Sequence, residues 1–110
     1  MKKRKKSQEV VMDDLEKIDV FYIPKPFAEM YRVLREAVAE EVIEIAQQHY
    51  TDVRRVQDSD IEGESIVAYD DQGQETFRYY LNPSNISHAQ AARDSEKMTD
   101  YVEGLMQLSK

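Results

Sequence analysis

His49 and His88 are the only histidines of this 110-residue chain, and it contains no cysteine. Thiolate nucleophiles, disulfides and cysteine metal sites are therefore excluded. A zinc site would have to be assembled from separate elements, because neither histidine stands in an HExxH or His-x-His spacing. His49 follows Ile45 by four residues on an apolar stripe, the place of a helix-end imidazole favoured by the negative end of the helix dipole. His88 falls in the first turn of a later helix and reads as a surface residue. The glycines Gly63, Gly73 and Gly104 are too far apart to cradle a phosphate or to form a dinucleotide fingerprint.

Carboxylates, 22 in all, are the abundant reactive group. Abundance produces close pairs by chance, whereas acid–base catalysis needs one carboxyl desolvated in an apolar cleft, and so short a chain has little room for both a cleft and a core. Asp58, Asp60, Glu62 and Glu64 alternate like calcium-loop ligands, with Gly63 in the sixth position, but Tyr69 stands at the twelfth, where a bidentate acid belongs. They are read as a solvated acidic loop, and neither a metal nor a cofactor is expected. Glu41 lies on the flank of an apolar helical stripe, so it must pair with a cation or reach water at the core's edge; Arg54, Arg55 and Arg78 are the candidate partners. The expectation is a chain without catalytic activity.

Charge is divided unevenly. Lys2, Lys3, Arg4, Lys5 and Lys6 form a basic leader without an acid, and setting those five aside leaves ten cations against 22 acids, a net charge of −12 for residues 7–110. An acidic body approaches basic surfaces, and a basic leader approaches phosphates or acidic proteins. No apolar run reaches the roughly 20 residues that span a bilayer, and no signal-peptide core follows the leader. With cysteine absent, these features suggest a cytosolic protein without membrane contact. Residues 1–6 are expected to be a flexible tail, and residues 7–110 one domain.

Periodicity supplies the elements. Val11, Leu15 and Ile18 predict a short helix over residues 7–18. Residues 20–23 have strand composition and are stopped by Pro24 and Pro26. Phe27, Tyr31, Leu34, Val38, Val42 and Ile45 predict a long helix over residues 27–49, with Pro26 suited to its start. Residues 65–69 and 75–81 flank a turn containing Gly73, and residues 51–57 supply a third strand. Asn82 and Pro83 break the chain; Ser87 and Gln90 then read as a capping box for one last helix carrying Met98, Tyr101, Val102, Leu105 and Leu108. The predicted fold is α+β: a three-stranded antiparallel β-meander packed against two main helices, with a short N-terminal helix.

This reading leads to a small acidic interaction module, an inhibitor, adaptor or regulator that binds a protein with a basic surface, for example by presenting carboxylates where phosphates would lie. Its surface is assigned to Glu36, Glu40, Glu41, Glu44, Asp58, Asp60, Glu62 and Glu64. Alternation along the last strand turns Arg78 and Tyr80 outward beside Tyr69, a second patch of residue types that dominate interfaces. Two alternatives stand beside it. One is nucleic-acid binding through Lys2, Lys3, Arg4, Lys5 and Lys6, with an affinity that falls steeply with salt. The other is a homo-oligomeric structural component that uses the Tyr80 face or a free sheet edge.

Overall fold

The computed structural model of the chain describes residues 14–18, 21–57 and 63–107. In chain order these form β1 (Leu15–Ile18), β2 (Phe21–Pro24), α1 (Lys25–Ala46), β3 (Asp52–Gln57), β4 (Glu64–Tyr69), β5 (Glu75–Tyr80), α2 (Pro83–Asp94) and α3 (Met98–Met106). The architecture is α+β, and β3, β4 and β5 form the antiparallel meander in sequence order. Two features correct the sequence reading. Among the described residues there are three helices, the expected last helix being two, and a second, two-stranded sheet replaces the expected N-terminal helix over residues 15–18.

That replacement has a local cause. Pro24 holds Ile23 before it extended, and an extended segment needs a ladder partner for its backbone polar groups. Residues 15–18 provide it, Leu15 opposite Pro24 and Ile18 opposite Phe21, which buries Ile18. Three apolar positions were too few to establish a helical period. The rest of that expected helix, residues 7–13, lies outside the described residues, as do the basic leader, residues 58–62 and residues 108–110.

Helix α1 begins at Lys25 with Pro26 in its first turn, where the missing N–H falls among groups that have no intrahelical acceptor. It ends at Ala46, three residues earlier than expected, and His49 lies in the turn that follows. Its buried residues are Ala28, Arg35, Val38, Ala39, Val42, Ile45 and Ala46. The buried face is thus rotated away from the expected stripe. Val38, Val42 and Ile45 belong to both, but Phe27, which began the predicted stripe, is 56% exposed. The alanines explain the rotation, because a helix approaches a sheet most closely on the side where its side chains are smallest. Against that side lie Ile66 and Ala68 of β4 and Phe77 and Tyr79 of β5, joined by Leu81, Ile86, Ala89, Met98 and Val102.

The β4–β5 turn is built on Asp70, whose Oδ1 accepts from the N–H groups of Gln72 and Gln74, both at 2.8 Å, while Gly73 takes the left-handed conformation at φ 80°. The following helix starts earlier than Ser87. Asn82 is its cap, its Oδ1 accepting from the Asn85 N–H at 2.8 Å, and Pro83 follows as the first helical residue.

The expected single helix is broken at Ser95–Lys97. There Glu96 adopts φ 59° and the Lys97 N–H donates to the Ala92 carbonyl at 2.8 Å, the geometry of a helix C-terminus normally closed by glycine. A β-carbon in that conformation costs about 1–2 kcal/mol. Exchange of Glu96 for glycine is therefore expected to stabilise the protein by about 1 kcal/mol. Urea denaturation followed by circular dichroism checks this, and a loss of stability would contradict it.

Candidate interaction surfaces

Glu36 and Glu64 form part of an internal ion cluster where α1 crosses the end of the sheet. Arg55 Nη1 and Nη2 donate to the two Glu36 oxygens at 3.0 and 2.6 Å, and Arg55 Nε and Nη2 donate to Glu64 Oε1 at 3.1 and 2.9 Å. Arg35, 8% exposed, donates to the same Glu64 oxygen at 3.4 Å. A guanidinium this dry requires a nearby anion, and Glu64 serves two of them. The hydrogen bond from Arg55 holds the Glu36 carboxyl below its ordinary value, and the pair with Glu36 in turn raises Arg55. Sequence reasoning overlooked Arg35. Its spacing of seven residues from both Ala28 and Val42 places it on the buried face, but the alanines that mark that face carry little weight in a hydropathy pattern.

Glu41 is paired by a cation from another element than the strand arginines first considered. Arg93 of α2 donates through Nε to both of its oxygens, at 3.1 and 3.0 Å. Asp58, Asp60 and Glu62 lie outside the described residues. Of the acids assigned to α1, that leaves Glu40 and Glu44, which take part in no ion pair among the described residues.

Those two acids end a line along the outward side of α1. Met30, Val33, Ala37, Glu40 and Glu44 succeed one another at intervals of three and four residues, roughly opposite the buried alanines. Met30 is 62% and Val33 61% exposed, with Phe27 at their edge. Past Val33 the surface sinks into an open, shallow depression lined by Ala37, Glu40, Glu41, Ile43, Glu44 and Gln47. The face is therefore apolar over its first half and anionic over its second. Met30 and Val33 were not singled out from the sequence, although their spacing to Ala37 was visible there.

The outer face of the three-stranded sheet carries the second patch. Phe77, Tyr79 and Leu81 are buried, and Arg78 and Tyr80 lie on the opposite side. Arg54 stacks over Tyr69 at 4.9 Å and Arg78 over Tyr80 at 5.8 Å. Each arginine is also held by an acid of its own strand, Arg54 by Asp52 and Arg78 by Glu75, with both pairs at 2.9 Å. Their charge is locally neutralised, and the face presents flat, partly exposed rings.

His49 Nε2 lies 2.8 Å from Glu103 Oε2, tying the end of α1 to α3, and His88 is exposed. Tyr79 donates to the Asn85 carbonyl and sits edge-on to Tyr101, with the two hydroxyls 2.8 Å apart; burial raises its hydroxyl well above the ordinary value, so it keeps its proton. Among the described residues no three His, Asp or Glu side chains converge as metal ligands, and no helix is long and apolar enough to cross a membrane. Comparison with protein-family models, with curated proteins and with solved structures finds no match.

Exchange of Glu64 for glutamine removes the carboxylate that Arg35 and Arg55 share and is expected to cost about 3 kcal/mol, the low end for a broken buried pair because Glu64 is one quarter exposed. Asp52→Asn, at the rim of the sheet, is expected to leave the unfolding midpoint unchanged. Chemical denaturation of the two variants side by side checks the difference. The Glu36 pair adds a pH dependence. Because the folded carboxyl titrates below its ordinary 4.5, its contribution is fully present above that pH and is lost as the pH falls through the folded value. The thermal midpoint should decline below about pH 4.5, and Glu36→Gln should make that decline shallower.

Proposed function

We propose that this protein is a non-catalytic interaction module whose outward α1 face binds a partner segment that is apolar at one end and basic at the other. One observation carries the reading: exposed Met30 and Val33 lead directly into the unpaired acids Glu40 and Glu44 on one line of a helix that the core holds rigid. Apolar side chains facing water at this density contribute contact area, and the adjoining carboxylates set orientation and steer the encounter. The negative body around them extends that steering, which is screened beyond about 8–10 Å at ordinary salt. The aromatic sheet face around Tyr80 has its arginines already paired and is assigned no part in recognising the basic end.

A labelled synthetic helix with leucine anchors followed by a run of lysine and arginine, titrated by fluorescence anisotropy, tests this. Binding is expected to weaken about tenfold or more between low salt and roughly 0.5 M, to be lost in Val33→Asp, and to fall in the double variant Glu40→Gln, Glu44→Gln. Tyr80→Ala should bind normally. Binding that ignores salt, or that disappears with Tyr80 and survives both α1 changes, overturns the proposal.

A further inference from the structure

Strand β3 is an edge of the meander, and its outer side is open. We infer that two copies of this chain pair through it, antiparallel about a twofold axis at Val53, and join their meanders into one continuous sheet. The inference concerns a different part of the molecule from the α1 face and does not depend on how that face is read.

The backbone supplies the first observation. In an antiparallel ladder successive residues direct their N–H and C=O groups to opposite sides. The Leu81 N–H donates to the Glu64 carbonyl at 2.9 Å, so Glu64 faces β5 and the alternate residues Ser65, Val67 and Tyr69 face β3. Their partners Val56, Arg54 and Asp52 therefore face β4, and Val53, Arg55 and Gln57 turn their backbone groups outward. Among the described residues no backbone hydrogen bond joins these three to another element. Such an edge is a template for a further strand, and the usual protections are absent: β3 has no proline and no lysine, and its register with β4 runs without a shift from Asp52 to Gln57. The ladder of the opposite edge strand, β5, is interrupted by a register shift at Ala68 and Tyr69.

The side chains supply the second observation. Asp52 and Arg54 share the outer face of the sheet, where they pair with each other along the strand at 2.9 Å. Antiparallel pairing about a twofold axis keeps each residue on its own face, so the axis passes through a residue and not between two. With Val53 on the axis, Asp52 lies opposite Arg54 of the second copy, and Arg54 opposite Asp52 of the second copy. These are the pairs without backbone bonds, in which side chains stand closest. The backbone bonds fall at Val53 with its own copy and at Arg55 with Thr51. A slip to either neighbouring register sets Arg54 against Arg54 or Asp52 against Asp52, and like charges directly opposite are destabilising. Charge thus selects a single register. The axis is normal to the sheet, so the dimer carries its two α1 helices on the same side. So short an interface belongs to the weak, transient class, with a dissociation constant of about 0.1–1 mM, and the chain is monomeric at the micromolar concentrations that suffice for denaturation.

Amide hydrogen exchange of the full-length protein at about 20 µM and about 1 mM, with sedimentation equilibrium over the same range, tests this. The amides of Val53 and Arg55 are expected to slow several-fold at the higher concentration, while that of Gln57, beyond the overlap, exchanges alike at both. The amides of Arg54 and Val56, bonded to β4, should be protected throughout and report that each variant is folded. The mass should rise from 12.9 kDa towards twice that value. Arg54→Asp sets acid against acid and Asp52→Arg sets base against base, so either alone should return the monomer mass and fast exchange at Val53. The two exchanges together restore opposite charges across the axis and should restore the dimer. A monomer mass at about 1 mM, a dimer that either single reversal leaves unchanged, a double variant that stays monomeric, or concentration-dependent protection of Gln57 overturns the inference, the last because it requires a different register.

Discussion

Helix α1 packs against both sheets and both other helices, and the small side chains on its buried face set the distance at which they meet. Ala28, Ala39 and Ala46 are all buried, and Ala39 lies in one cluster with Ile66, Ala68 and Tyr79. A Leu at any of these positions would push the layers apart in a core that tolerates little extra volume. The remaining elements accommodate the helix. The meander supplies a flat apolar face, and α2 and α3 close the exposed side of that face with Ile86, Ala89, Met98 and Val102.

The ion cluster at Arg35 follows from the same constraint. The helix is longer than the sheet it crosses, and where the sheet ends a purely apolar contact would be only half covered. Arg35, on the buried face of α1, donates to Glu64, while Arg55 bridges from the sheet back to Glu36. Such clusters add less stability than their number of hydrogen bonds suggests, because desolvation offsets much of the attraction. Their stronger effect is on geometry: each guanidinium has one orientation that satisfies its acid, which restricts the helix from sliding along β3 and β4.

Internal pairing also determines which charges remain for the surface. The body is acidic overall, yet Glu36, Glu41 and Glu64 serve cations of the fold itself. The free anionic potential of α1 is thereby concentrated on Glu40 and Glu44, next to Met30 and Val33. On the far side of the sheet the same economy leaves Arg54 and Arg78 stacked on tyrosines and bound to their own acids. A count of charges treats both faces alike; among the described residues the pairing leaves carboxylates outside any ion pair on the α1 face and none of the arginines on the sheet face.

Local order determined much of this protein. The meander, the turn at Asp70–Gly73, the burial of alternate residues along β5 and the existence of a long helix after Pro26 were all legible, because strand alternation, turn chemistry and helical period are properties of neighbouring residues. The break at Glu96 was not, since a glutamate in a left-handed position gives no signal of the kind a glycine would. β1 was hidden because a four-residue strand exists only through its partner. Which side of α1 faces inward, which acids are consumed by Arg35, Arg55 and Arg93, and hence which carboxylates and apolar side chains are left to meet another molecule were decided by the tertiary structure alone. Those outcomes depend on contacts between residues 9 to 52 positions apart, and no local pattern encodes a pairing over that distance.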